Sequence, residues 1–408
     1  MNSFLNIQKE DVAYLIEEVK ENYKQIHQHP ERGFEEVETS RLIIEKLKEY
    51  GVESRTVMLT GVIADIHGSR PGKTVALRAD IDGLPITEKT DLPYASKIPE
   101  RMHACGHDAH TAMLLGAARY LSEHRDQFAG TVRLIFQPAE EGWAPESLEP
   151  AIAAGGSEQG GAVSMIKAGA LDGVDMCFGF HVQPWAKTGT LLCRRGPAFA
   201  SPDTFELTVI GKGGHAAHPQ RAIDPIQTAA EIVLAYHSIP AREFGALDNC
   251  VVSVCMINAD SSASNIIPGS VQISGTVRTF NQEIRETIAR RLEEIAEHIC
   301  AAHRCKADFR YEWGCAPVIN SPEAADLMMN VAREILGEGN VKEMQPEMGS
   351  EDVGEYFRVV PGAMAFLGVT KEGEEAFYLH NPQFKVDLDA LEVGVRLHIN
   401  NVLRFLQE

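Results

Sequence analysis

Thr131-Val132-Arg133-Leu134-Ile135-Phe136 is an apolar run of strand length, and it delivers Gln137-Pro138-Ala139-Glu140-Glu141-Gly142, two adjacent carboxylates on a turn marked by proline and glycine. Three further runs of the same kind occur at 62–66, 74–77 and 176–180, separated by helix-forming segments. Short, continuously apolar strands that alternate with helices predict a largely parallel sheet buried on both faces. Polar groups fall where those strands end: Arg78-Ala79-Asp80 follows Leu77, Glu140-Glu141 follow Phe136, and His181 follows Phe180. Ligands of open α/β sheets bind beyond the carboxyl ends of the strands, so these sequence-distant groups are expected to converge on one crevice.

Working outward, residues 10–29 and 36–50 carry helical periodicity on either side of His29-Pro30-Glu31-Arg32-Gly33. From residue 199 the pattern changes to strand 204–210, helix 222–239, strands 250–257 and 270–278, helix 282–303 and strand 306–313. That β-α-β-β-α-β order is a ferredoxin-like unit. Helix 322–337 and strand 363–367 then return to the α/β style. The expected organisation is a first domain of residues 1–198, completed by 314–408, with 199–313 inserted. The Gly-, Ala- and Glu-rich stretch 143–162 reads as an exposed, mobile loop.

Composition narrows the function. The 408 residues suffice for two domains. A formal charge of −20, from 58 acids against 38 Lys plus Arg with no basic block, argues against nucleic acid and anionic membrane surfaces as partners. A negatively charged substrate therefore needs a local basic group. Met1-Asn2-Ser3-Phe4-Leu5-Asn6 has neither the basic region nor the apolar core of a signal peptide, and no apolar run approaches the roughly 18 residues of a membrane span. A cytoplasmic protein is expected. None of the eight cysteines forms a C-x-x-C pair, and only Cys105 sits among other ligand types.

That cysteine lies in His103-Ala104-Cys105-Gly106-His107-Asp108, at a helix start. Cys105, His107, Glu141, His181 and His380 together offer five metal-ligating groups. A catalytic zinc-type site needs about three protein ligands and an open position, whereas a two-metal site shares a ligand between ions. Each residue alone has a plainer reading: a buried thiol, a helix cap, a solvated acid, a satisfied core histidine. Their joint placement at strand ends favours a metal site. Adjacent carboxylates on an irregular turn point in different directions, so Glu141 can bind metal while Glu140 faces water as a base. Asp80 and Asp82 are candidates for holding ligand imidazoles, as are Asp108 and His110, with helix capping as the competing account of Asp108.

In the inserted unit, Gly211-Lys212-Gly213-Gly214-His215-Ala216-Ala217-His218-Pro219 is a glycine-rich turn bearing two histidines, without the Gly-Lys-Ser/Thr ending of a phosphate-binding loop. Asn265, in Asn265-Ile266-Ile267-Pro268-Gly269, and Arg278 offer an amide and a guanidinium suited to a substrate carboxylate. A turn asparagine and a strand-end surface arginine are the alternatives.

With these residues in view, the chain resembles the aminoacylase/carboxypeptidase G superfamily of metallopeptidases, in its amidohydrolase branch of hippurate hydrolases, N-acyl-amino-acid amidohydrolases and indole-acetyl-amino-acid hydrolases. The resemblance runs nearly end to end. It rests on His29-Pro30 with Gly33-Phe34-Glu35-Glu36, on 78–85, 102–111, 137–142, His181, 211–219, 265–268, 275–278, Gly349-Ser350-Glu351-Asp352 and His380-Asn381-Pro382. It implies an α/β catalytic domain with a mostly parallel sheet and a centre of two divalent ions, and a ferredoxin-like lid that also serves dimerisation. It implies Cys105 as the bridging ligand, Glu141 and His380 completing one ion, and His107 and His181 the other. Glu140 is implied as general base, His215 as oxyanion stabiliser reaching a partner subunit, and Asn265 with Arg278 as holders of the substrate carboxylate. Two departures stand out. Related branches carry His-x-Asp where this chain has Arg78-Ala79-Asp80, a substitution the amidohydrolase branch shares, and the stretch 143–160 is longer than usual.

The expected function is metal-dependent hydrolysis of the amide of a small N-acyl amino acid or dipeptide-like conjugate by a homodimer or higher homo-oligomer. Zn, Mn, Co and Ni all suit mixed thiolate, imidazole and carboxylate ligands. A metallo-dipeptidase or aminopeptidase is the alternative within enzymes. A non-catalytic metal- or ligand-binding protein fits less well, because a structural site has no use for Glu140. A zinc-dependent deaminase is excluded by the lack of a Pro-Cys-x-x-Cys after the histidine motif.

Overall fold

The computed structural model describes residues 6–407. The chain divides into two compact units, one comprising the residues up to Gly196, Ile319–Gln345 and those from Asp352 onward, the other Pro197–Val318 and Pro346–Glu351. The short segment Pro346–Glu351 groups with the second unit through Glu347 N–H, which donates to Ala198 O at 2.9 Å, and Ala200 N–H, which donates to Gly349 O at 3.0 Å.

The first unit is built on an eight-stranded sheet in the order Ser54–Val57, Gly61–His67, Thr131–Gln137, Thr74–Asp80, Met176–Lys187, Gly362–Thr370, Leu191–Cys193, Val341–Glu343. Its four middle strands, from Thr131–Gln137 to Gly362–Thr370, are mutually parallel, as their unbroken apolar runs predict. The flanks are not. Gly61–His67 runs antiparallel to Thr131–Gln137, because only residues 68–73, with Pro71 and Gly72, separate it from Thr74–Asp80, too few for a crossover. The sheet is therefore mixed. Helix His107–Glu123, buried along almost its whole length, packs against Ile16–Gln28 and Asp389–Gln407. The three come close at Gly116, where an added Cβ would stand 2.7 Å from both Val19 and Val395.

Two expectations are corrected here. His181 does not follow a strand: Met176–Lys187 continues through it, held in register by Gly362–Thr370 with Phe366 opposite His181. Within 143–162, Pro145–Ala153 is a helix rather than open loop, entered through a proline at its start, with Ala151 buried against Phe34 and Ala139.

The second unit has one antiparallel four-stranded sheet in the order Cys250–Ala259, Ser270–Thr279, Ser201–Ile210, Lys306–Glu312. This is the ferredoxin-like order. Ser201–Ile210 alternates buried and open positions, so one sheet face takes the core, covered by helices Pro225–Arg242 and Gln282–Ala302. Asp224 and Asn281 cap those helices by accepting backbone N–H groups of the first turn. No helix among the described residues is long and apolar enough to cross a membrane.

A buried ion pair ties the second unit together. The Asp203 carboxylate accepts hydrogen bonds from Arg285 Nε at 2.7 Å, Tyr311 OH at 2.9 Å and Gly314 N at 2.9 Å. Asp203→Ala should leave the Arg285 guanidinium buried without its partner and lower unfolding free energy by about 3–5 kcal/mol. Urea denaturation followed by circular dichroism measures this, and a change below about 1 kcal/mol would contradict the assignment.

Candidate metal centre

Three turns bring the candidate ligands together in the first unit, and each uses a left-handed backbone. Gly106, at φ +87°, separates Cys105 from His107 at the start of helix His107–Glu123, and an added Cβ there would lie 2.3 Å from Val182 Cγ2. Ala139, at φ +51°, turns the chain just before Glu140 and Glu141, with its N–H donating to the buried Glu36 carboxylate at 2.9 Å. His380, at φ +63°, is fixed by its N–H to Ala104 O at 2.8 Å. Non-glycine residues in this region are uncommon and cluster at functional sites.

Among the described residues the cluster holds His107, Glu140 and Glu141 as one three-donor set and two more that overlap, Cys105, His107, His181 and Cys105, Glu141, His380, with the ligand atoms of each set within 4.8 Å of one another. Cys105 belongs to both. Its Sγ lies 3.4 Å from His181 Nε2, close to the roughly 3.6 Å that tetrahedral zinc would impose between sulfur and imidazole nitrogen. Both imidazoles are oriented from behind. His107 Nδ1 is 3.0 Å from Asp82 Oδ1, and His181 Nδ1 donates to Val182 O at 2.7 Å. Each Nε2 is thereby left facing the cluster, the arrangement a metal-bound histidine requires.

The donor set fits a cation on three counts. His107 Nε2 is fully buried and has no hydrogen-bond partner among the described residues. Glu141 Oε1 lies 2.8 Å from His380 Nε2, and both residues offer a ligand atom to the same three-donor set. The cluster is also rich in negative charge. Burial and the Glu141 and Glu140 carboxylates hold the Cys105 thiol well above its usual range, so a thiolate there needs a neighbouring cation. Burial opposes charge on His107, yet Asp80 and the hydrogen bond to Asp82 raise it to about 10. Burial, reinforced by His110, pushes His181 down to about 3 and keeps it a neutral donor.

Behind this cluster lies a web of buried groups. Asp80 accepts from His110 Nδ1 at 2.5 Å and from Arg78 Nη1 at 2.7 Å, and His110 Nε2 in turn accepts the Val182 N–H at 2.9 Å. Asp82, besides His107, takes the Glu141 backbone N–H at 2.9 Å, so one carboxylate positions two donors. Glu140 Oε2 stands 4.0 Å from His107 Nε2, and its side chain keeps 11% exposure toward solvent.

The sequence of peptidase family M20/M25/M40 matches residues 76–404. The chain belongs to this peptidase family. It is 37% identical over 401 residues to thermostable carboxypeptidase 1 of Saccharolobus solfataricus, covering 97% of this chain and 98% of that one. It is 39% identical over 375 residues to an N-acetylcysteine deacetylase of Bacillus subtilis, covering 91% and 92%. The crystal structure of a dinuclear metal binding peptidase of the M20 family from B. subtilis superposes with a TM-score of 0.80 at 34% identity, covering 97% of this chain and 99% of that one. This M20 peptidase is a metal-dependent amide hydrolase.

Within the M20 chain, Cys105, His107, Glu140, Glu141, His181, His380 and Asp80 meet at one place. Asp108 does not face the ligand imidazoles: its carboxylate accepts from His27 Nδ1 at 2.6 Å and from Ala109 N at 2.8 Å, which leaves the orienting task to Asp82. In the second unit His215 and Asn265 share a recess of about 600 Å³ lined also by Gly213, Gly214, Asp260 and Ser261. His215 Nδ1 accepts the Ala217 N–H at 3.1 Å, so Nε2 carries its proton. Arg278 lies near the end of Ser270–Thr279 in the four-stranded sheet, paired with Pro202, whereas Ser270, at the other end of that strand, pairs with Ile210. Gln137 and Asp352 lie in segments that carry the resemblance but were given no role from the sequence, although Gln137 Nε2 donates to both Asp352 oxygens at 2.8 Å.

Asp82→Ala should lower metal affinity about 10- to 100-fold, since it frees both His107 and the Glu141 turn. Competition with a chromogenic chelator reads this directly, and unchanged affinity would remove Asp82 from the site.

Proposed function

We propose that this M20 peptidase hydrolyses the amide of small N-acyl amino acids, using two divalent ions held by Cys105 as shared ligand, by Glu141 with His380, and by His107 with His181. The two donor sets that share one thiol, with a second carboxylate beside them, carry the reading. When bound, such ions polarise the scissile carbonyl and make water a nucleophile near neutral pH. Glu140 also forms a three-donor set with His107 and Glu141, but the two sets that share the thiol do not need it, and as the spare carboxylate it takes the proton of the attacking water and delivers it to the leaving amine. A deacetylase of an N-acetyl amino acid and a carboxypeptidase both cut the bond between an acyl group and an amino acid with a free carboxylate, which supports that substrate class.

Arg278 and Asn265 are proposed to hold the carboxylate, and His215, through Nε2–H, the oxyanion. Ser270 and Arg278 lie at opposite ends of one strand, about 26 Å apart at 3.3 Å per residue. A single small substrate does not span that length. His215 and Asn265 are therefore assigned to the substrate of a second copy of the chain, in a homodimer or larger assembly.

Chelator-treated protein resupplied with Mn, Zn, Co or Ni should release amino acid from N-acetyl and N-benzoyl amino acids faster than from dipeptides with a free α-amine. The reverse ranking would make the protein a dipeptidase or aminopeptidase. Glu140→Gln should keep its metal and lose about 10²- to 10⁴-fold in kcat, and full activity would remove Glu140 as base. Neither His215→Ala nor Glu140→Gln alone should turn over, while mixed assemblies of the two regain part of the activity. Absence of that recovery in verified mixed dimers would contradict action in trans.

A further inference from the structure

Two buried carboxylates stand beside the proposed ligands and base without belonging to them, Asp80 next to His107 and Asp352 next to Glu140. Asp80 Oδ2 is 3.7 Å from His107 Nε2, and Asp80, His107 and His110 themselves offer ligand atoms within 4.8 Å of one another. Asp352, whose N–H donates to Glu140 Oε1 at 3.4 Å, borders the same cluster. A carboxylate so placed next to a dication is a ready additional ligand. Both are engaged instead by one side chain, Arg78, which is 2% exposed. Its Nη1 donates to Asp80 Oδ2 at 2.7 Å, Nη2 to Asp352 Oδ1 at 2.9 Å, and Nε to Gln137 Oε1 at 2.9 Å. The remaining oxygens are taken as well: Asp80 Oδ1 by His110, Asp352 Oδ2 by Gln137 Nε2 and the Ala162 N–H.

Resting on the ligand set proposed above, we propose that Arg78 limits the coordination of the metal centre: its guanidinium fork holds Asp80 and Asp352 away from the ions and leaves each ion a position for substrate. A catalytic ion works through an open position, and a saturated one is structural. The fork geometry is what the task needs, since a planar guanidinium bonds two carboxylates in fixed directions and stays charged when buried. Its fixed positive charge, one carboxylate away from His107 Nε2, also weakens cation binding. Both effects have the same sign. Arg78 is thus a positioning residue that exchanges metal affinity for reactivity.

Arg78→Met should bind Mn²⁺ at least tenfold more tightly in chelator competition. In the cobalt-loaded protein its visible absorption should weaken, as expected when an ion gains a ligand, and kcat should fall while metal content does not. Unchanged affinity with an unchanged cobalt spectrum in folded protein would overturn the proposal. Should Arg78→Met not accumulate, Arg78→Lys keeps the charge but bonds a single carboxylate, and a gain in Mn²⁺ affinity of at least threefold is expected; no gain would overturn it equally. If Cys105→Ala leaves wild-type metal content unaltered, the ligand set itself is wrong, and that outcome is separate from any result at residue 78.

Discussion

A carboxylate taken out of water is costly unless a partner answers its charge, and the carboxyl edge of the large sheet buries Asp80, Asp82 and Asp352 within one cluster. Each acid is answered by a group that also builds the site. Arg78 spans Asp80 and Asp352, His110 completes Asp80, and His107 with the Glu141 backbone completes Asp82. The direction in which each donor points is a by-product of that neutralisation. Glu36 shows the limit of the arrangement: burial and the nearby Asp82 raise its carboxyl to about 8, and it is kept in place by the Thr60 hydroxyl and the Ala139 N–H. That last bond fixes the turn from which Glu140 and Glu141 project.

Because the donors are oriented by hydrogen bonds from buried partners, the centre is largely preorganised. His181 takes its direction from its neighbour's carbonyl, His107 from a carboxylate, and His380 from a backbone bond to Ala104. The three differ in exposure. His107 and His181 are buried, whereas the His380 side chain is half exposed, so one of the two donor sets opens toward solvent and the other does not. An asymmetry of that kind would give ions held at the two donor sets distinct surroundings.

Much of this was legible in the sequence, for identifiable reasons. Apolar runs four to six residues long mark buried strands, so the central parallel strands and the polar groups at the ends of 74–80 and 131–137 followed from patterning alone. The β-α-β-β-α-β order of the second unit was readable because its strands alternate and its helices are amphipathic. Strand direction at the sheet's flank was not, since it depends on which neighbour a strand chooses across space. His181 looked like a strand end because Val182-Gln183-Pro184 breaks the apolar run, but pairing with Gly362–Thr370 carries the strand on to Lys187. Helix Pro145–Ala153 was hidden by its glycine-rich flanks, and its Ala151 packs with Ala139 and with Phe34, 117 residues earlier. The same lesson applies to Asp108 and Asp82: both follow short motifs, and only the fold shows that one faces His27 and the other His107.

The discontinuity of the first unit bears on how the protein comes into being. Cys105 and His380 are 275 residues apart in the chain, and Gly362–Thr370, which lies beside Met176–Lys187 in the sheet, also follows the whole of Pro197–Val318. At roughly 5–20 residues per second, a ribosome needs on the order of 15–55 seconds between making the first of these ligands and the last. During that interval the sheet has an open edge and the cysteine lacks its full company of donors. Most of the second unit, Pro197–Val318, is made within that interval as one continuous segment, and only Pro346–Glu351 is added to it later. A donor set that includes both Cys105 and His380 is complete only once this late segment has been made, and until then the open sheet edge offers unpaired backbone groups to other chains.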